Sequence, residues 1–357
     1  MTFSNNRINK SPNKQPRGPR ISYIYSFKLE HMNTFGRIFR IHIFGESHGT
    51  SVGVTIDGCP PGIPLNESDF NKDLERRKSG AKGTTPRTES DKPEIISGWF
   101  DGHTTGAPLT TIFRNENTRS KDYSALKKTP RPGHADFVAQ QKYKGFADYR
   151  GGGHFSGRLT LGLVSAGVVA KKVLENITIE AKLIEAGGKS DIEKAIDEAI
   201  ETNDSIGGVI ECKVNGLPVG LGEPFFDSVE SMISHITFAI PAIKGIEFGS
   251  GFKAPKMTGR EHNDDILDEN GKTSTNNAGG INGGITNGNE LIFRVAVKPT
   301  SSISTEQETY NFEKQEVEIL KIEGRHDRCI ALRVPPVLEA AAAIALADLM
   351  LIRKAYL

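Results

Sequence analysis

Gly45-Glu46-Ser47-His48-Gly49, with the sequence on either side of it, decides how the chain begins to fold. The run before it, Arg37-Ile38-Phe39-Arg40-Ile41-His42-Ile43-Phe44, is strand-like. The pattern G-x-S-x-G has two readings. It fits a nucleophile elbow, where a strained strand-to-helix turn lifts a serine above a sheet. It also fits a loop whose backbone N–H groups, hydroxyl and imidazole hold and protonate an anion. The sequel, Thr50-Ser51-Val52-Gly53-Val54-Thr55-Ile56-Asp57-Gly58, is rich in β-branched residues and lacks helical spacing, so it predicts a second strand. A strand on both sides counts against the elbow.

Working outward, 357 residues with 36% hydrophobic and 25% charged content predict a soluble globular body with a full core, in one large or two ordinary domains. The net charge of +1 hides a segregated piece. Residues 1–31 hold Arg7, Lys10, Lys14, Arg17, Arg20 and Lys28 against Glu30 alone, leaving 39 basic and 43 acidic residues in the remainder. Such a body has no global field for nucleic acid, so an anionic ligand must be met by a local cluster of arginines. Residues 1–31 are Asn-, Ser-, Pro- and Arg-rich without the apolar core of a signal peptide, and read as a disordered extension ahead of a single domain at 32–357. Cys59, Cys212 and Cys329 form neither C-x-x-C nor a Cys/His metal spacing, so no metal is expected and a reducing cytoplasm fits. No run reaches the ~20 apolar residues of a membrane span. Val337 to Ile352 comes closest, carries Glu339 and Asp348, and reads as a buried helix.

Along the chain, Asn66 with Asp69 predicts a helix N-terminus and a helix from Glu67 to Lys78. Arg76-Arg77-Lys78 at its end suits the negative helix pole. With the flexible 79–87 loop, the same triplet makes a clamp for phosphate or carboxylate or simply a solvated loop. Strands are expected at Glu94–Trp99 and Pro108–Phe113. In Arg131-Pro132-Gly133-His134-Ala135-Asp136, the Pro-Gly turn places the His134 backbone and aims its ring. Gly151-Gly152-Gly153-His154-Phe155-Ser156-Gly157-Arg158 precedes an apolar helix from Leu161 to Leu174, where glycines, a serine and an arginine make an anion site. The spacing is not that of a dinucleotide-binding fold.

Further on, the pattern predicts a helix at Asp191–Thr202 capped by Ser190, a strand at Gly207–Val214, a loop-rich region, and a mobile acidic stretch from Arg260 to Thr275. The doubled glycines at 279–284 suggest backbone packed against a flat ligand or a neighbouring element, or a tight turn. The strand Leu291–Val297 opens into Lys298-Pro299-Thr300-Ser301-Ser302, a phosphate or flavin rim or an ordinary polar turn. Gly324-Arg325-His326-Asp327-Arg328-Cys329 gathers two guanidiniums, an imidazole and a carboxylate, and an apolar helix from Val337 to Ala355 follows.

Taken in order, the Gly45–Gly49, Arg131–Asp136, Gly151–Arg158, 279–284 and Gly324–Asp327 motifs closely resemble those of the chorismate synthase family, from about Met32 to the C-terminus. The resemblance implies an α+β fold, a β-α-β sandwich with internal pseudo-symmetry assembled as a homotetramer. It implies loss of phosphate from 5-enolpyruvylshikimate 3-phosphate by 1,4-anti elimination, giving chorismate in the shikimate pathway. Reduced FMN is implied as cofactor, with NADPH only as a source of reducing equivalents. The absence of a reductase domain in the sequence favours an external flavin reductant.

By position, His48 would protonate the departing phosphate, His134 would stabilise the reduced flavin at its pyrimidine edge, and Asp327 would accept or relay a proton. Ser47, Ser156, Ala242, Gly283, Lys298, Pro299, Thr300, Ser301, Ser302 and Arg325 match flavin-contacting positions. Arg76, Arg77, Arg131, Arg158 and Arg325 are the right kind of group for a phosphate and two carboxylates. His154-Phe155 and Leu159 depart from the Arg-Ser and Glu common in the family, Arg328 replaces a common proline, and Lys82 stands in for an arginine.

Overall fold

Thr34–Phe35 (β1), Arg40–Gly45 (β2) and Ser51–Asp57 (β3) form an antiparallel meander in the computed structural model, which describes residues 32–85, 89–116, 125–322 and 326–356. The predicted hairpin is present, with Ile41 opposite Ile56 and Ile43 opposite Val54. Val52, Val54 and Ile56 are fully buried, which is what the β-branched alternation demands. A short 3-10 turn leads into Asn71–Arg77 (α1), and Asn66 with Asp69 makes the capping box read from the sequence. Glu94–Ser97 (β4), the small hairpin Trp99–Phe100 (β5) and His103–Thr104 (β6), and Leu109–Arg114 (β7) follow, and the first sheet has the order β1-β2-β3-β7-β4.

After Asp136–Lys142 (α2) and Thr160–Leu174 (α3) comes the second half: Thr178–Ala186 (β8), Ile192–Glu201 (α4), Gly208–Asn215 (β9), Val229–Thr237 (α5), Ile243–Phe248 (β10), Gly259–His262 (α6), Ile281–Asn282 (β11), Ile285–Thr286 (β12), Leu291–Val297 (β13), Gln307–Asn311 (β14), Glu316–Leu320 (β15) and Pro335–Tyr356 (α7). Its main sheet is antiparallel with order β10-β13-β9-β8.

The two sheets enclose a helical layer. α3 packs on β3, α7 packs on β8 and β9, and the two helices pack on each other. This is an α+β chain built as a β-α-β sandwich, each half contributing one antiparallel sheet and one central helix. A Cβ at Gly167 of α3 would stand 2.3 Å from the Ala340 Cβ of α7, so the alanine run read from the sequence is the face that lets the helices approach. The internal glycine of β3 has the same cause, since a Cβ at Gly53 would meet the Phe44 ring at 2.6 Å. By length and composition α7 passes for a membrane span, but it is a core helix with Val337, Leu338 and Ile344 buried.

Three expectations are corrected. α4 is capped by Asp191, whose side chain accepts from the Lys194 N–H, rather than by Ser190. The region read as loops contains α5 and β10, because short apolar runs broken by Ser, Thr and Gly give little periodicity over so few residues. The acidic stretch expected to be mobile is tied down: the Asp264 carboxylate accepts from the Asn277 and Ala278 N–H groups at 2.7 and 2.8 Å. The extension at 1–31 lies outside the described residues.

Candidate active site

The β2–β3 turn carries Ser47 and His48, both buried, and the Ser47 N–H donates to the Gly153 carbonyl at 3.1 Å. Gly151, Gly152 and Gly153 all have left-handed backbones, with φ of 58°, 82° and 53°. The reason is proximity. A Cβ at Gly151 would stand 2.5 Å from His48 Cδ2 and 2.9 Å from Ser47 Oγ, and one at Gly152 would lie 3.7 Å from His134 Cε1. One glycine turn therefore separates the two imidazoles singled out in the sequence. The turn is closed by Asp148, whose carboxylate receives the Arg150 backbone N–H, Nε and a terminal nitrogen at 3.0, 2.8 and 2.8 Å. Those Arg150 hydrogen bonds hold the Asp148 carboxyl below its usual range, with a further contribution from His48. Because the Ser47 turn joins two strands, the nucleophile-elbow geometry is absent.

His134 sits on the Pro132-Gly133 turn, with its Nδ1 2.6 Å from Asp136 Oδ1. That contact assigns the Nδ1 proton and leaves Nε2 on the side of the Gly152 turn. Burial raises the Asp136 carboxyl, but hydrogen bonds from Arg131 and His134 outweigh it and hold it well below the carboxylate range. Arg131 is buried, and its guanidinium is committed to Asp136 at 2.7 and 2.8 Å and to Ser302 Oγ at 3.0 Å. Expected as a substrate ligand, it is placed with its donors on the His134 turn and Ser302. The loop after β13 closes on the same turn: Lys298 Nζ and Ser301 Oγ both donate to the Gly133 carbonyl, at 2.7 and 2.8 Å. Next to them Thr300 Oγ1 is buried with no hydrogen-bond partner among the described residues.

Beyond Ser47 and Gly151 opens a cleft of about 280 Å³ lined by Ser156, Arg77, Arg158, Asp327 and Arg333 among others. Arg77 is buried and reaches Asp91 at 3.0 Å and Thr160 Oγ1 at 3.2 Å. Burial, and then repulsion from Arg333 and Arg158, draw it down to about 10 despite Asp91. Arg158 donates to Asp91 at 2.8 Å, to the Arg114 carbonyl at 3.1 Å and to Asn115 Oδ1. Asn115 in turn donates to the Glu46 and Gly49 carbonyls at 3.0 and 2.9 Å, so it ties the Arg158 guanidinium to the Ser47-His48 turn. Ser156 caps the short 3-10 helix Gly157–Leu159 and accepts from the Arg158 N–H. Asp327 accepts from the Thr85 N–H at 2.8 Å and from Arg333 at 3.3 Å.

Other expected site residues lie elsewhere. The Arg76 guanidinium donates to Glu339 at 2.7 and 2.8 Å, in a network with Lys171 and Asp73 at the junction of α1, α3 and α7, and Arg76 is not among the residues lining the cleft. Gly283 is at the exposed tip of the β11–β12 hairpin, whose neighbour Gly284 packs on Glu223 and Ser228. Of the alternatives read from the sequence for these glycines, packing against a neighbouring element is the one observed.

Ala242 has φ +75°, a strained value for a residue with a Cβ, beside the cleft residues Ile240 and Pro241, and its carbonyl accepts from the Lys298 N–H. Arg325 lies outside the described residues, as do 86–88 of the cationic loop. The rest of that loop is anchored, with Lys82 paired to Asp197. His154 is 2.8 Å from the Gly45 carbonyl, and Arg328 donates to Asn203 Oδ1 at 3.0 Å, so both departures have local structural work. The sequence reading missed Asp91, Asn115 and Arg333. Only Arg333 left a signal, as a lone charge in the apolar run from Cys329 to Leu338.

The sequence model of the family described as chorismate synthase matches residues 39–351. The chain is 66% identical to the chorismate synthase of Chitinophaga pinensis over 324 residues, covering 90% of this chain and 98% of that protein. It is 44% identical to the chorismate synthase of Methanocaldococcus jannaschii, covering 90% of this chain and 96% of that protein. A solved structure described as a crystal structure of chorismate synthase superposes with a TM-score of 0.68 at 28% identity, over 89% of this chain and 93% of that one.

Proposed function

The chain belongs to the chorismate synthase family and is a carbon–oxygen lyase, and on that premise we propose that it eliminates phosphate from 5-enolpyruvylshikimate 3-phosphate in a 1,4-anti sense to give chorismate, with reduced FMN as cofactor. The observation that carries this reading is the glycine turn held between His48 and His134 at the mouth of an arginine-lined cleft. An imidazole fixed beside an anion site is placed to give a proton to a leaving phosphate.

The residues fit the cofactor. A flavin offers a planar acceptor edge and a phosphate, and the loop at Lys298, Pro299, Thr300, Ser301 and Ser302 offers one cation and three hydroxyls, one of them buried without a hydrogen-bond partner among the described residues. These residues, with Ala242 and Ser47, would hold it against His134. When bound there, reduced FMN would supply electron density to the substrate ring transiently, with no net redox change.

The chain's own groups have separable tasks. His48 gives its ring proton to the departing phosphate oxygen, and the Gly151 contact and the Ser47–Gly153 bond keep its imidazole in place. His134 is oriented by Asp136 at Nδ1 and steadies negative charge across the turn. Asp327 takes up the ring proton at its carboxylate, which the Thr85 N–H and Arg333 keep aimed. Arg77 and Arg158, with Arg325, supply positive charge to the substrate's phosphate and carboxylates.

A place in the shikimate pathway of the cytoplasm, a homotetramer, and reduction of the flavin by an external reductant that draws on NADPH belong to the same proposal. The test is anaerobic incubation of the full chain with 5-enolpyruvylshikimate 3-phosphate, following chorismate and released phosphate with and without reduced FMN. Equal amounts of both products without any flavin would sink the reading.

A further inference from the structure

We propose that Arg333 is an anion-binding residue of the cleft, gripping the substrate's phosphate or a carboxylate through one terminal nitrogen while the other steadies Asp327. The proposal rests on the elimination reading above and names a further binding residue for the same site.

Arg158 has all three guanidinium nitrogens engaged, by Asp91, the Arg114 carbonyl and Asn115. Arg77 has both terminal nitrogens engaged, by Asp91 and Thr160, and only its sealed Nε–H is left without an acceptor. Lys78 is paired with Glu75. Arg333 differs. Its Nε donates to the Arg77 carbonyl at 3.0 Å and one terminal nitrogen to Asp327 at 3.3 Å, but its second terminal nitrogen has no hydrogen bond among the described residues. The side chain is 23% exposed, so that nitrogen is reachable from the cleft it lines.

Two further features favour an anion there. Arg333 ends the 3-10 turn Ile330–Arg333, two residues ahead of the first residue of the 22-residue α7, where the helix presents its positive pole. Arg77 and Arg158 share the Asp91 carboxylate, and the neighbouring Arg333 and Arg158 guanidiniums repel Arg77, which an incoming anion relieves, in line with the downward displacement of Arg77 by burial and by these cations. A guanidinium already anchored at two points loses little freedom on meeting a phosphate, so binding through it costs little ordering. Its bond to Asp327 also links anion binding to the group that takes the ring proton.

The test uses the full chain and inorganic phosphate as the probe. Titration calorimetry with phosphate is run on the wild type, Arg333→Met and Arg333→Lys, beside KM and kcat for the shikimate ester. Arg333→Met is expected to weaken phosphate about tenfold or more and to raise KM by a similar factor, as loss of a charge-assisted hydrogen bond does. Arg333→Lys is expected to fall between, because a lysine keeps the charge but not the fork. If Arg333→Met fails to fold, Arg333→Gln carries the same titration with the side chain's reach to the Arg77 carbonyl kept. Wild-type phosphate affinity and KM in these variants, with only kcat or thermal stability lowered, would make Arg333 a brace for Asp327 and overturn the proposal. A wild type that binds phosphate through Arg333 but forms no chorismate would instead remove the elimination reading and leave the anion site standing.

Discussion

Gly151 lies against the His48 imidazole, so close that a methyl group at position 151 would stand 2.5 Å from Cδ2 and 2.6 Å from Nε2. The same glycine has φ +58°, a left-handed conformation that a side chain resists. Gly151→Ala therefore pushes the His48 ring aside and adds strain of about 1–3 kcal/mol. Misplacing a catalytic group by about 1 Å costs on the order of a hundredfold in rate, which is the expected fall in kcat. Gly259→Ala in α6, away from the cleft, is the control, since nothing stands within 4 Å of a Cβ there and its φ is not positive; it is expected to stay close to wild type. Steady-state rates beside thermal melts check both.

Asp136 makes acid stability a readout of the His134 turn. Its folded-state value is depressed below the ordinary 3.8, with burial opposed by the stronger effect of the Arg131 and His134 hydrogen bonds. A depressed carboxylate contributes stability that is complete above its unfolded value and is lost as pH falls through the folded one. The wild type should therefore lose stability below pH 3.8, and Asp136→Asn should lack that part of the acid dependence while being less stable at neutral pH. Urea midpoints across the acid range measure it, and identical pH slopes in the two proteins would contradict the assignment.

Asn115 bridges the Arg158 guanidinium and the turn that carries His48. Asn115→Ala leaves two carbonyls and a guanidinium nitrogen short of partners, at about 1–3 kcal/mol for a buried polar group left unmade. Both kcat and KM are expected to worsen, because the variant loosens an anion ligand and the proton donor together. A change confined to melting temperature would show that the bridge serves stability alone.

Arg76 supplies the opposite case. Its partner Glu339 is nearly fully buried and also receives Lys171 and the Ala181 N–H. Removing Arg76 leaves Glu339 with Lys171 and the Ala181 N–H, and Arg76 itself is 38% exposed, so the loss is about 1–3 kcal/mol, that of charged hydrogen bonds left unmade. Arg76→Met should lower the denaturation midpoint and leave KM for the shikimate ester unchanged. A selective rise in KM would restore Arg76 to the substrate site.

These contrasts show what the sequence could disclose. The β2–β3 hairpin, the capping box at Asn66, α3, β13 and α7 were legible because each rests on periodicity or cap chemistry within a few neighbouring residues. The pairing of His48 and His134 was not legible: the two are 86 positions apart in the chain and meet only across the Gly151-Gly152 turn. Arg76, Arg77 and Arg131 looked alike as cations. Their tasks diverge because each fell beside a different carboxylate, Glu339, Asp91 or Asp136, and long-range partners leave no local mark. Arg333 was overlooked for the same reason, since its value comes from bonds to Arg77 and Asp327.

The central claim is that His48 delivers the proton to the departing phosphate from its place against the glycine turn. It is tested most directly by single-turnover phosphate release under anaerobic conditions with saturating 5-enolpyruvylshikimate 3-phosphate and reduced FMN, comparing the wild type with His48→Ala. Loss of a positioned general acid predicts a rate lower by about 10²–10⁴-fold, with substrate affinity and the folded state retained. Phosphate released by His48→Ala at the wild-type rate would contradict the account.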